Sequence, residues 1–139
     1  MSTLTTAPAV TDRTSPATGD AATPAALRIG PLVLDAPVVL APMAGITNAA
    51  YRQLCREQGA GLYVCEMITS RGITERIPKT FDMLRFDAGE QVRSVQLYGV
   101  DADVMARAAD ILCGEFGVHH IDINLGCPVP KVTRRGGGG

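Results

Sequence analysis

Ile121-Asp122-Ile123-Asn124-Leu125-Gly126-Cys127-Pro128-Val129-Pro130-Lys131-Val132-Thr133-Arg134-Arg135-Gly136-Gly137-Gly138-Gly139 ends the sequence. Ile121 and Ile123 alternate with Asp122 and Asn124, the two-residue period of a strand. Gly126 breaks that strand, Cys127 follows it, and Pro128 stiffens the backbone at once. A thiol on the loop just past a strand's C-terminal end is where α/β enzymes keep their chemistry. No helix is expected behind this strand, so the pattern reads as cut off midway.

Working outward, the same strand logic recurs. Leu27 to Leu34 reads as a hairpin turned at Gly30-Pro31. Asp35-Ala36-Pro37 is a second turn. Pro37-Val38-Val39-Leu40-Ala41 is a continuous apolar run, as a buried parallel strand requires. It ends in the loop Pro42-Met43-Ala44-Gly45. Thr47 is placed to cap a helix with Tyr51, Leu54 and Cys55 on one face and Gly59 as its stop. Leu62 to Met67 is the next strand. Ile73, Ile77 and Phe81 suggest a short helix interrupted by Pro78. Arg93 to Tyr98 is a third strand. Asp101 caps a helix carrying Val104, Ala108, Ile111, Leu112 and Phe116, which stops at Gly117. His119 to Asn124 is the fourth. Strand and helix alternating at this spacing predict an α/β fold with a parallel sheet. Four units are legible, where a closed (β/α)8 barrel needs eight and about 250 residues. No glycine-rich phosphate loop follows the first strand, which disfavours a nucleotide-binding doubly wound sheet.

Val95 and Leu97 share one face of the third strand, and Ser94, Gln96 and Tyr98 share the other. Ile121 and Ile123 oppose Asp122 and Asn124 in the same way. Two readings stay open at this point. The polar faces line a barrel lumen that holds a ligand, or they are solvated faces of edge-like strands.

Composition narrows the classes. Apolar residues make up 46% of the 139 and aromatics 4%, enough for an aliphatic core in one domain. Residues 1–26 are rich in Thr, Ala, Pro and Ser and are expected to be a disordered tail. Their one Arg and two Asp argue against a transit peptide. Removing them leaves 12 basic and 12 acidic residues, so charge alone offers no support for a nucleic-acid partner. The four cysteines, at 55, 65, 113 and 127, lack the spacing of a zinc knuckle, and no metal site is expected. Cys55, Cys65 and Cys113 are expected to pack as small apolar side chains. Without a signal peptide or a long apolar run, a cytoplasmic chain with free thiols and no membrane contact is expected.

Three segments carry a resemblance: Ala41-Pro42-Met43-Ala44-Gly45-Ile46-Thr47-Asn48, Val95-Gln96-Leu97-Tyr98-Gly99, and Asp122-Ile123-Asn124-Leu125-Gly126-Cys127-Pro128. In this order and spacing, over residues 27–139, the sequence resembles the tRNA-dihydrouridine synthases, FMN-dependent TIM-barrel enzymes. The resemblance implies that FMN, reduced by NADPH, reduces the 5,6 double bond of uridine in tRNA. It implies that Pro42, Met43 and Ala44 lie against the flavin through the backbone, that Gln96 hydrogen-bonds the ring's polar edge, and that Asn124 positions flavin and uracil. It makes Cys127 the catalytic acid. Lys131, Arg134 and Arg135, beside that loop, are candidates to meet tRNA phosphates. The family's barrel continues through four more strands, which supply the FMN phosphate anchors, and then a helical domain that grips tRNA. On that comparison residues 27–139 are the first half of the barrel, inactive alone, within a full-length protein expected to be monomeric.

The chemistry suits these residue types. Hydride arriving at C6 of uracil leaves negative charge at C5 and O4, so a positioned acid must protonate C5. A cysteine thiol, with a reference pKa of about 8.5, is mostly protonated at neutral pH yet acidic enough to yield its proton. The target base must leave its stack to reach such a pocket. Two other readings compete. One is an FMN barrel acting on a small molecule, of the dihydroorotate or dihydropyrimidine dehydrogenase type. The other is a truncated product without activity.

Overall fold

The computed structural model describes residues 25–137. The expected disordered tail, apart from its last two residues, lies outside them, as do Gly138 and Gly139.

Leu27–Ile29 (β1) and Leu32–Leu34 (β2) form the expected antiparallel hairpin, with Gly30 in the left-handed region at φ 56°. The chain then enters a parallel sheet built from Val39–Leu40 (β3), Leu62–Thr69 (β4), Ser94–Tyr98 (β5) and His120–Ile123 (β6). Their spatial order is β3-β4-β5-β6, the order of the sequence, with every neighbouring pair parallel. The α/β class and parallel sheet therefore match the expectation. β3 does not. Only two residues pair, and Val38 and Val39 are exposed rather than buried. The physical reason is its place at the sheet edge, where one side of the apolar run has no neighbour among the described residues.

β4 and β5 are the centre. Cys65 and Ile68 of β4 and Val95 and Leu97 of β5 are fully buried. Against them pack Ile73 from Ser70–Thr74 (α2) and Ala108 and Leu112 from Ala102–Phe116 (α4). α4 begins and ends on its expected signals. Asp101 Oδ1 accepts from the Val104 N–H at 3.0 Å, and Gly117 turns left-handed at φ 61°. Pro78 starts rather than interrupts a helix, Pro78–Asp82 (α3), since its missing N–H costs nothing in the first turn.

Ala49–Glu57 (α1) differs from expectation at its start and along its face. Asn48, not Thr47, is the cap, accepting from the Tyr51 N–H at 3.1 Å. Thr47 is buried, its hydroxyl engaged with the backbone N–H and C=O of Met43, both at 3.1 Å. The residue α1 buries is Arg52, while Leu54 is exposed. A helical turn, Pro130–Thr133 (α5), also follows β6 where none was expected, with Val132 buried. Cys113 is exposed on α4, contrary to the packing role expected of it, whereas Cys65 is buried.

Gly61 sits where the chain enters β4 beside the turn at Ala36. A Cβ there would lie 2.0 Å from the Ala36 carbonyl oxygen, a backbone atom that cannot swing aside. Gly61→Ala is therefore expected to destabilise the fold by about 2 kcal/mol, in the range of overpacking substitutions. The urea midpoint of the 139-residue chain measures it, and an unchanged midpoint would show the Ala36 turn to be free to move.

Candidate active site

The apolar faces of β4 and β5, with Ile121 of β6, take the helices, while Ile123 is exposed rather than packed as its alternation suggested, and the polar faces lie together on the other side of the sheet. A β-bulge enriches that side. Cys65 pairs with Val95 and Met67 with Gln96, so Glu66 is an extra residue in β4. Cys65 and Ile68 both join the core, so Glu66 and Met67 between them both face away from it.

The polar side is layered by the register. Ser94 and His120 are partners, and Ser94 Oγ lies 2.8 Å from His120 Nδ1. One step along, Gln96 and Asp122 are partners, and Gln96 Nε2 donates to Asp122 Oδ2 at 2.5 Å. Asn124, just past β6, donates from Nδ2 to Gln96 Oε1 and to Met67 Sδ, both at 3.1 Å. Its Oδ1 accepts from the Gly126 N–H at 3.1 Å. The two candidate amides, Gln96 and Asn124, are thus brought into direct contact, and Asn124 is bonded to the loop carrying Cys127. Cys127 is half-buried on that loop.

The loop after β3 is held from three sides. Met43 C=O accepts from the N–H groups of Ile46 and Thr47, both at 3.0 Å. Gly45, left-handed at φ 74°, donates its N–H to Glu66 Oε2 at 2.7 Å. Thr47 C=O accepts from Arg52 Nη1 at 2.7 Å. Pro42 and Met43 are half-buried here and Ala44 is exposed.

The three basic candidates are exposed on and after α5. Arg135 alone of the three lines a cleft of about 420 Å³ at the ends of β4 and β5, with Arg71, Tyr98 and Asp101 among its walls. Among the described residues no group of three or more His, Cys, Asp or Glu is placed to hold a metal ion. No helix described is long and apolar enough to cross a membrane.

Sequence reasoning missed Asp122, Glu66 and Met67 as parts of this site. Asp122 was legible as a member of the polar face, but its partner depends on the register with β5. Glu66 needs the bulge, which leaves no mark in the alternation of β4.

A sequence profile for dihydrouridine synthase (Dus) matches residues 39–139, which include every candidate above. The chain belongs to the dihydrouridine synthase family. Its relatives include a probable tRNA-dihydrouridine synthase of Mycobacterium tuberculosis, 58% identical over 120 residues, 81% of this chain and 31% of that protein. Another, also a probable tRNA-dihydrouridine synthase, is from Mycobacterium leprae, 44% identical over 126 residues, 72% of this chain and 33% of that protein. A tRNA-dihydrouridine synthase B of Shewanella oneidensis is 41% identical over 109 residues, 78% of this chain and 34% of that protein. The chain therefore spans about a third of the length of these dihydrouridine synthases.

Proposed function

We propose that residues 27–139 form the first half of the barrel of a tRNA-dihydrouridine synthase, which reduces the 5,6 double bond of uridine in tRNA with FMN and NADPH. One observation carries this reading in a member of the family. The Asn124 amide, in contact with that of Gln96, is bonded directly to the loop that presents Cys127. The sheet order supports a barrel. Four parallel strands follow one another without the reversal that marks a doubly wound sheet. Closure would take four further strands.

The residues present fit a flavin. A glutamine amide has two N–H donors and two lone pairs on oxygen. Gln96 spends one of each, on Asp122 and Asn124. The remaining donor and acceptor suit the alternating C=O and N–H groups on the polar edge of an isoalloxazine ring. Pro42, Met43 and Ala44, on the loop held by Glu66 and Arg52, would set their backbone against the ring. Reduced FMN, when bound, supplies the hydride for C6 of uracil.

This chain's own residues do the rest. Asn124 has both N–H groups occupied but keeps one lone pair on Oδ1, which suits an N–H of the uracil. Cys127 Sγ–H gives its proton to C5 as negative charge collects there, and the thiolate left behind recovers a proton from water. Lys131, Arg134 and Arg135 contribute positive charge towards the tRNA backbone, Arg135 from the wall of the cleft it shares with Arg71. The full-length protein would act in the cytoplasm as a monomer.

A chimera tests this reading. Residues 39–137 replace the matched segment of the Mycobacterium tuberculosis relative, and dihydrouridine in tRNA is measured after incubation with NADPH. The chimera is expected to be yellow and active, and the 139-residue chain alone colourless and inactive. A chimera that binds FMN, leaves tRNA unchanged and reduces a free pyrimidine would overturn the proposal in favour of a small-molecule enzyme. So would activity of the 139-residue chain alone as a monomer, which would remove the half-barrel.

A further inference from the structure

We infer that Asp122 is a positioning residue for the Cys127 loop, acting through Gln96 and Asn124. The inference rests on the function proposed above for that loop, and its observation is a hydrogen-bond chain whose direction is forced at both ends. A carboxylate can only accept, so Gln96 must turn its NH2 group to Asp122 Oδ2. A backbone N–H can only donate, so Asn124 must turn its oxygen to Gly126. The middle bond, Asn124 Nδ2 to Gln96 Oε1, is then the one arrangement that satisfies both. All three donors point the same way, from the loop down to Asp122, and bonds in such a series polarise one another.

The consequence is that Asp122 selects the orientation of both amides. With the carboxylate gone, Gln96 can rotate its amide by half a turn and present NH2 to Asn124. Asn124 then answers with its oxygen, and the Gly126 N–H loses its acceptor. Gly126 adjoins Cys127, so the thiol's placement is set from Asp122, three bonds down the chain. Asp122 needs no contact with substrate for this, and its register with Gln96 is fixed by the sheet.

The test uses the full 139-residue chain without cofactor or RNA, repeated in the chimera. Backbone amide exchange is read at Gly126, and iodoacetamide labelling is read at Cys127, each resolved by peptide. Cys65 reports on folding, because it is fully buried and burial pushes its thiol up to about 11. Asp122→Leu is expected to speed both Gly126 exchange and Cys127 labelling about fivefold, the factor a single net hydrogen bond confers on an opening equilibrium. Asp122→Asn, which offers Gln96 an oxygen but can also turn an NH2 to it, is expected to give rates between those of the parent and Asp122→Leu. Cys65 stays unlabelled throughout.

Unchanged rates in Asp122→Leu would overturn the inference, as would an Asp122→Asn variant as fast as Asp122→Leu. Labelling of Cys65 in Asp122→Leu would also overturn it, by making Asp122 a residue of the fold. In the chimera, Asp122→Leu is expected to lower kcat for tRNA with KM little changed, and Asp122→Asn to restore it in part. An inactive unsubstituted chimera whose Gly126 and Cys127 still respond would sink the functional reading and leave the positioning role standing.

Discussion

Arg52→Met is expected to lower the free energy of unfolding by about 4 kcal/mol, the cost of removing one partner from a buried ion pair. Arg52 and Glu90 have side chains 1% and 2% exposed, and Arg52 Nε meets Glu90 Oε1 at 2.5 Å. A second bond joins Nη2 to Glu90 Oε2 at 3.0 Å. The rest of the guanidinium is spent on the Thr47 and Arg85 carbonyls, both at 2.7 Å, with its carbon 5.5 Å from the centre of the Phe86 ring. Methionine fills much of the volume but leaves the Glu90 carboxylate buried with the Asp87 N–H. Lysine would keep the charge and lose the fork that serves three partners at once. The double variant Arg52→Met/Glu90→Leu should recover part of the loss, since it removes the orphaned charge, but not the part owed to two carbonyls without donors. Urea unfolding of the three variants measures this. A single variant within about 1 kcal/mol of the parent, the range of exposed pairs, would mean that water reaches the site.

Cys127→Ala in the chimera is expected to slow dihydrouridine formation about 10³-fold, within the range contributed by a positioned general acid. Flavin reduction by NADPH should be unchanged, because in the proposed mechanism the thiol acts on the uracil and not on the hydride's source. Following the two half-reactions separately in stopped flow makes the distinction. Cys113→Ala, at an exposed position on α4, should change neither. If Cys127→Ala slows flavin reduction as much as transfer to tRNA, the loop shapes the flavin pocket and the proton comes from elsewhere.

Local signals carried the middle of the fold. β5, α4 and their caps were legible because Asp101, Gly117 and the Val95/Leu97 alternation act within a few residues of themselves. The side on which Gln96 and Asn124 lie followed from the same alternation. What escaped was set at a distance. Thr47 and Asn48 are both able caps, and the choice falls to Asn48 because Thr47 is tied to Met43 and Arg52. An arginine was not sought on a helix's buried face, since its burial depends on Glu90, 38 residues away in sequence. Val38 and Val39 read as interior because the run is apolar, and the sheet places them at an edge. The partner of Asp122 depended on a register that only the assembled strands define.

The strand order also bears on how the chain is made. Each strand of the parallel sheet pairs with the one synthesised just before it, so no pairing waits for a distant segment. Loop-closure entropy is therefore met in three modest instalments rather than one large one. During translation β4, α2 and β5 can dock as soon as α4 supplies Ala108 and Leu112, and the Cys127 loop emerges onto a sheet already laid down to receive it.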